Sequence, residues 1–426
     1  MQHSAPPSPV FRGWSMVAAT HLLFALIFGA MYAFGAFFEA IQQSFHAGRF
    51  SVSAVFSGTA FVYYLLGLVS GALADRFSVR RIVGTGIALL ALGLLLGSLA
   101  NSLAMLMLLF CSFVGVGVGL VYIPAITVVQ RWFVRQRSRA SGLALAGTGL
   151  GTLVGPLLAG ALLQQMDWRS TLQCFALGVA VLGLGAASRL VGQPADVGQQ
   201  PDGDAVPHGP SSTTTAAQGM TRPQALCSAR FWWYFASIFL ASIGLFVALV
   251  HITPQARALG VAPTQSALLI GLIGVGNVLG RLLLGGLGDR LGAQRVLLWL
   301  TLGLALLSLL WLSAGAFWSL ALFALLFGAA NGGCIALYPT VAADWFGTRH
   351  LGAILGALYV SVGIAALLGA SAAGWVFDAT QSYTWPIAGG GAAALLAAGC
   401  LGMARHSPST RPRSAAARET RWDITS

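Results

Sequence analysis

An all-α polytopic membrane protein, with twelve spanning helices in two six-helix repeats, is the fold class this sequence predicts. Three observations predict it. Hydrophobic residues make up 57% of the 426 and charged residues only 8%, about a third of the share in a soluble domain. Apolar runs of roughly twenty residues, the length a helix needs to cross a ~30 Å apolar slab, recur along the whole chain. A loop pattern in the first half returns in the second at nearly constant offset, as in transporters built from internal repeats.

A short polar tail (1–13) with three prolines among its first eleven residues precedes the first run, 14–38. That run is too long for a signal-peptide core and lacks a clean cleavage site, so it reads as a retained helix. Further runs are expected near 51–74, 82–100, 103–129, 139–163 and 170–190. These complete a bundle over 14–191. A linker at 192–230 follows. It is rich in Pro, Gly, Gln, Ser and Thr up to residue 228, a composition that builds no core and reads as flexible. The second bundle, 231–404, holds runs near 231–256, 264–287, 295–314, 317–343, 350–376 and 383–404, and a basic tail closes the chain at 405–426. The fourth and tenth runs are long enough to tilt or to extend beyond the slab.

The duplication is visible in residues. Gly71-Ala-Leu-Ala-Asp75-Arg76-Phe-Ser-Val-Arg80-Arg81 follows the second run, and Gly285-Gly-Leu-Gly-Asp289-Arg290-Leu-Gly-Ala-Gln-Arg295 follows the eighth. The Asp-Arg pairs are 214 residues apart; Trp132-Phe133 and Trp345-Phe346, after runs four and ten, are 213 apart.

All 23 basic residues are arginine. With a cytoplasmic N-terminus, nineteen of them fall on the inner side and only Arg49, Arg169 and Arg257 on the outer side. That asymmetry orients both termini to the cytoplasm, in the cytoplasmic (inner) membrane. The +12 net charge is therefore topological. It does not form one soluble basic face, which argues against nucleic acid as a partner. Tail arginines from Arg405 to Arg421 are placed to touch anionic head groups. The five scattered cysteines contain no Cys-x-x-Cys pair and read as packing residues rather than a disulfide or metal framework. No cofactor is implied.

Arg281 is the exception to the topology. It lies eight residues before Asp289, about 12 Å into the slab at ~1.5 Å per residue, near the midplane. A charge there faces a partner or a polar cavity, and no Asp or Glu lies at that depth in another run. The expected counter-ion is a small carboxylate substrate. The competing reading is a guanidinium bonded to backbone carbonyls or snorkelling outward. Asn277 is one turn before Arg281 on the same face. His21, near the same depth in the first run, and His251, near the outer end of the seventh, are candidates for proton coupling, because histidine changes charge near neutral pH; each also reads as a neutral core histidine. The glycines of run four, Gly115, Gly117 and Gly119, read as packing positions.

The Gly-x-Leu-x-Asp-Arg-x-Ser/Gly-x-x-Arg loops resemble the signature of the major facilitator superfamily. The resemblance implies that fold, and a conformational gating role for Asp75, Arg76, Asp289 and Arg290. The carboxylates suit a helix N-terminus and a neighbouring arginine. A narrower likeness follows from Arg12-Gly13-Trp14, Tyr122-Ile-Pro124, Arg131-Trp-Phe133, Arg137, Ala140-Ser-Gly142, His251-Ile-Thr-Pro254, Asn277-x-x-x-Arg281 and Tyr338-Pro339. In combination these are similar to the monocarboxylate transporter family and its bacterial relatives, including oxalate–formate exchangers. The resemblance implies that Arg281 holds a substrate carboxylate, with Tyr122 and Tyr338 assisting.

Three departures bear on mechanism. Mammalian members carry an aspartate where Asn277 stands. They carry a lysine shortly after the Tyr-Ala-Phe that here is Tyr32-Ala-Phe34 followed by Gly35-Ala36. Oxalate exchangers carry a second cation in helix eleven, where residues 359–375 hold none. One cation suits one carboxylate. Gly151-x-x-x-Gly155-Pro156-x-x-x-Gly160 partly resembles an antiporter motif. The expectation is a secondary transporter of a small monocarboxylate, proton-coupled, acting as a monomer by alternating access. The alternatives are an uncoupled exchanger and a carboxylate sensor. An enzyme is disfavoured, because no nucleophile–base pair, ligand cluster or catalytic domain is visible.

Overall fold

The computed structural model describes residues 11–203 and 219–407. The first ten residues, linker residues 204–218 and the tail beyond 407, with Arg411, Arg413, Arg418 and Arg421, lie outside the described residues.

Twelve helical spans run in order: α1 (Gly13–Phe45), α2 (Arg49–Arg76), α3 (Val79–Ser98), α4 (Leu103–Trp132), α5 (Arg137–Leu163), α6 (Trp168–Ser188), α7 (Ala229–Ala258), α8 (Pro263–Leu291), α9 (Ala293–Ser313), α10 (Phe317–Phe346), α11 (Leu351–Thr380) and α12 (Thr384–His406). Eleven are apolar and long enough to cross a membrane. In α8 the apolar stretch is shorter, Leu268–Leu283, and it contains Asn277 and Arg281. With no proline between Trp14 and Phe45 to stop it, α1 runs past the expected end at 38 and takes in Glu39. A turn at Ala33 joins Gly13–Tyr32 to Phe34–Phe45, and a left-handed His46 (φ 47°) ends it. In α4 a π-helical turn, Phe110–Gly115, interrupts regular winding, a feature often found near functional sites. Its sequence, a plain apolar run, gives no sign of it.

The halves meet along two helix pairs, α2 with α11 and α5 with α8. Glycines set the distance. A Cβ on Gly71 would overlap the Gly352 carbonyl, one on Gly356 the Gly67 carbonyl, and one on Gly142 the Arg281 carbonyl. Within the first half, Gly147, Gly151 and Gly155 of α5 meet the carbonyls of His21, Ala25 and Gly29 on α1. Gly67 and Gly71, Gly352 and Gly356, and Gly147, Gly151 and Gly155 are each spaced by four, so each set presents one face. In lipid, where helix association rests on close packing, small residues at such crossings are the main adhesive. The parts of the linker that are described pack under the bundles. Short 3-10 turns lie at Pro194–Val197 and Pro201–Gly203, and Asp202 accepts from Val134 N and Arg135 N at 3.1 and 2.8 Å.

Candidate functional site

Arg281 projects from α8 toward the seam between the halves and is 8% exposed. Its Nη1 donates to the Leu145 carbonyl of α5 at 2.5 Å. Its buried Nε has no hydrogen-bond partner among the described residues. The three ion pairs found among the described residues, Arg131–Asp75, Arg135–Asp202 and Arg137–Asp344, all lie near the loops and leave Arg281 out. The guanidinium therefore neither snorkels nor sits on a carboxylate. The backbone-carbonyl reading holds for one donor; a carbonyl carries no net charge, so the cation stays uncompensated, a costly state in a low-dielectric interior.

Tyrosines surround it. Tyr122 (α4), Tyr359 (α11), Tyr32 (α1) and Tyr64 (α2) are within electrostatic reach of the guanidinium. Tyr122 and Tyr359 meet edge to face across the seam, ring centroids 5.7 Å apart. Phe24 and Phe28 of α1 pack on Tyr122 at 5.2 and 5.6 Å. The Tyr359 hydroxyl is buried with no partner meeting hydrogen-bond geometry. A donor in that state, beside an uncompensated cation, matches what a bound carboxylate or its substituent would satisfy.

Asn277 Nδ2 donates to Asn331 Oδ1 of α10 at 3.3 Å, one turn from Arg281. Tyr338 packs its ring on Tyr234, and its carbonyl accepts from the Tyr234 hydroxyl at 2.9 Å. His21 is 2.7 Å through Nδ1 from the Leu143 carbonyl, two residues along α5 from the carbonyl that Arg281 uses. His251 is buried, with Tyr383 6.0 Å away between ring centroids, at the far end of α7. The structure thus groups Arg281 with Tyr122, joins Asn277 to Asn331, and sets Tyr338 and His251 against other tyrosines. Tyr359, Tyr32, Tyr64 and Asn331 are additions. Tyr359 had a usable signal: it lies eight residues from Leu351 at the arginine-rich end of α11, as Arg281 lies eight from Asp289.

At the arginine-rich end the repeated loops clamp the halves together. Asp75 accepts from Gly352 N and Ala353 N, the start of α11, at 3.2 and 2.9 Å, and pairs with Arg131 at 2.7 Å. Asp289 accepts from Ser138 N and Arg139 N, the start of α5, at 2.8 Å each. Each carboxylate thus caps a helix of the opposite half, where free N–H groups and the helix dipole favour an anion. Arg137 adds a third tie to Asp344 at 2.7 Å. Arg76 and Arg290 are exposed beside these clamps; Arg131, Arg137 and Asp344 supply the side-chain partners. At the opposite end Asp167, capping α6, has its carboxyl held below the usual range by hydrogen bonding to Ser170.

The sequence profile of the Major Facilitator Superfamily matches residues 20–255 and 234–424, two stretches that overlap in α7. The chain is similar to monocarboxylate transporter 13 of Bos taurus, 30% identical over 97% of this chain and 95% of that one. It is similar to monocarboxylate transporter 12 of Rattus norvegicus, 28% identical over 89% and 83% of the two chains. Among solved structures, the proton:xylose symporter XylE superposes with a TM-score of 0.71 over 94% of this chain and 97% of that one, at 15% identity, a likeness of fold.

Proposed function

Because this chain belongs to the major facilitator superfamily and is related to its monocarboxylate transporters, we propose that it carries a small monocarboxylate across the cytoplasmic membrane by alternating access, with Arg281 as the anchor. One observation carries the reading: a buried guanidinium at the seam of the halves, bonded to one carbonyl and paired with no carboxylate among the described residues. The substrate carboxylate would take the free donors in charge-assisted bonds. Tyr122 and Tyr359 would read the rest of the molecule, with Asn277, Tyr338 and His251 as further binding residues. The chain works as a monomer, with both termini cytoplasmic by the arginine asymmetry.

His21 and His251 are the proposed proton carriers, since the acidic residues all lie toward the ends of spans or in loops. Exchange is the second reading, and a specific observation favours it. Without a carboxylate partner, Arg281 has no internal compensation when the carrier reorients empty, so loaded states cross more easily. Proteoliposomes test both. Labelled lactate or pyruvate should accumulate under an imposed inward proton gradient if coupling holds. Counterflow with no response to pH would assign exchange. Saturable binding of these and other small monocarboxylates with no flux in either assay would overturn transport in favour of a sensor.

A further inference from the structure

Gly292, at φ +89°, ends α8 and turns the chain at once into α9. The turn places Arg290 of α8 beside Gln294 and Arg295 of α9, and the last turn of α12 adds Arg405. Together with Asp344 these residues line a cleft of 470 Å³ at the arginine-rich end. Asp344 is already engaged by Arg137. Among the described residues none of the three cleft arginines makes an ion pair.

Beyond the cleft, α9 and α12 carry exposed apolar residues. From Arg295, α9 presents Trp299, Leu302, Leu306 and Leu309 at steps of three and four, 56%, 38%, 66% and 61% exposed, one lipid-facing stripe. The α12 helix packs beside α9 and exposes Leu395, Leu396 and Met403. Cations at the end of two helices whose exposed residues are apolar match an amphiphile with an anionic head. A soluble phosphate would use the cations alone.

We propose that this cleft binds the phosphate of an anionic phospholipid whose acyl chains lie along α9 and α12. The bound phosphate would neutralise Arg290, Arg295 and Arg405, the three cations that line the cleft.

The test uses the full chain in phosphatidylcholine nanodiscs carrying labelled phosphatidylglycerol, with energy transfer from protein to label as the readout. The Arg295→Gln/Arg405→Gln variant should weaken retention, about five-fold per arginine. The Arg295→Lys/Arg405→Lys variant should keep it, and this separates lost charge from lost fold. The Arg81→Gln/Arg189→Gln variant, which removes two exposed arginines at the same end, should retain the lipid. Equal loss in that control would reduce the effect to general surface charge and overturn the site. Competition by glycerol phosphate as strong as by the lipid would overturn the lipid as its occupant. Both outcomes are read without substrate flux.

Discussion

At the residue scale the decisive fact is an asymmetry at Arg281. A guanidinium offers five donors, and here one is bonded to the Leu145 carbonyl while Nε is bare. Arg281→Lys keeps the charge and loses the planar fork; labelled-acid uptake should fall at least ten-fold, since a hydrogen bond to a charged group contributes about 1.5–3 kcal/mol. Tyr359→Phe removes a buried hydroxyl whose side-chain interaction is with the Tyr122 hydroxyl and which meets strict hydrogen-bond geometry with no described residue. Thermal stability should hold or rise, while apparent affinity for a small hydroxy acid falls about five-fold; titration of the variant against wild type checks both. The sequence made the arginine legible because charge at midplane depth is rare. Family likeness marks Tyr122 and Tyr338 alike and passes over Tyr359, Tyr32 and Tyr64, because a tyrosine is at home on any apolar helix face. Only the packing of α4 against α11 selects Tyr122 and Tyr359, and leaves Tyr338 with Tyr234.

At the element scale, α5 of the first half packs against both α1 and α8. It carries both carbonyls that meet His21 and Arg281, and its glycines face α1 and α8. A methyl at Gly142 would run into the Arg281 backbone. Gly142→Ala should therefore lower the melting temperature through overpacking of about 1–3 kcal/mol and depress uptake by displacing α8; thermal denaturation in detergent and flux together check it. The glycine spacing is plain in the sequence, but its partners are not, because a repeat of four marks a face without naming the helix opposite. The π-turn at Phe110–Gly115 was illegible for a different reason: a one-residue insertion in backbone winding leaves no trace in an apolar composition.

At the scale of the whole molecule, the duplicated loops close one end of the bundle. The sequence announced the two Asp-Arg pairs; the structure turns each carboxylate onto the opposite half, at the starts of α11 and α5. Arg137 belongs to the family likeness, but no motif marks Asp344, and the two meet only when the halves dock. Arg137→Asp should shift the population toward opening at this end, read as increased labelling of a cysteine placed at the α5–α8 seam. Arg137→Asp combined with Asp344→Arg should recover much of the closure, because the pair is re-formed with its charges exchanged. A double variant as open as the single one would show that the backbone caps by Asp75 and Asp289, rather than the ion pair, hold the end shut.

The most direct measurement is counterflow of a labelled small monocarboxylate in proteoliposomes containing wild-type protein or Arg281→Gln. The wild type should show saturable counterflow, and the variant none, while eluting as the same monodisperse species with a similar or higher melting temperature, because a buried uncompensated cation has been removed. Counterflow near the wild-type rate through Arg281→Gln would mean that the carboxylate is held elsewhere.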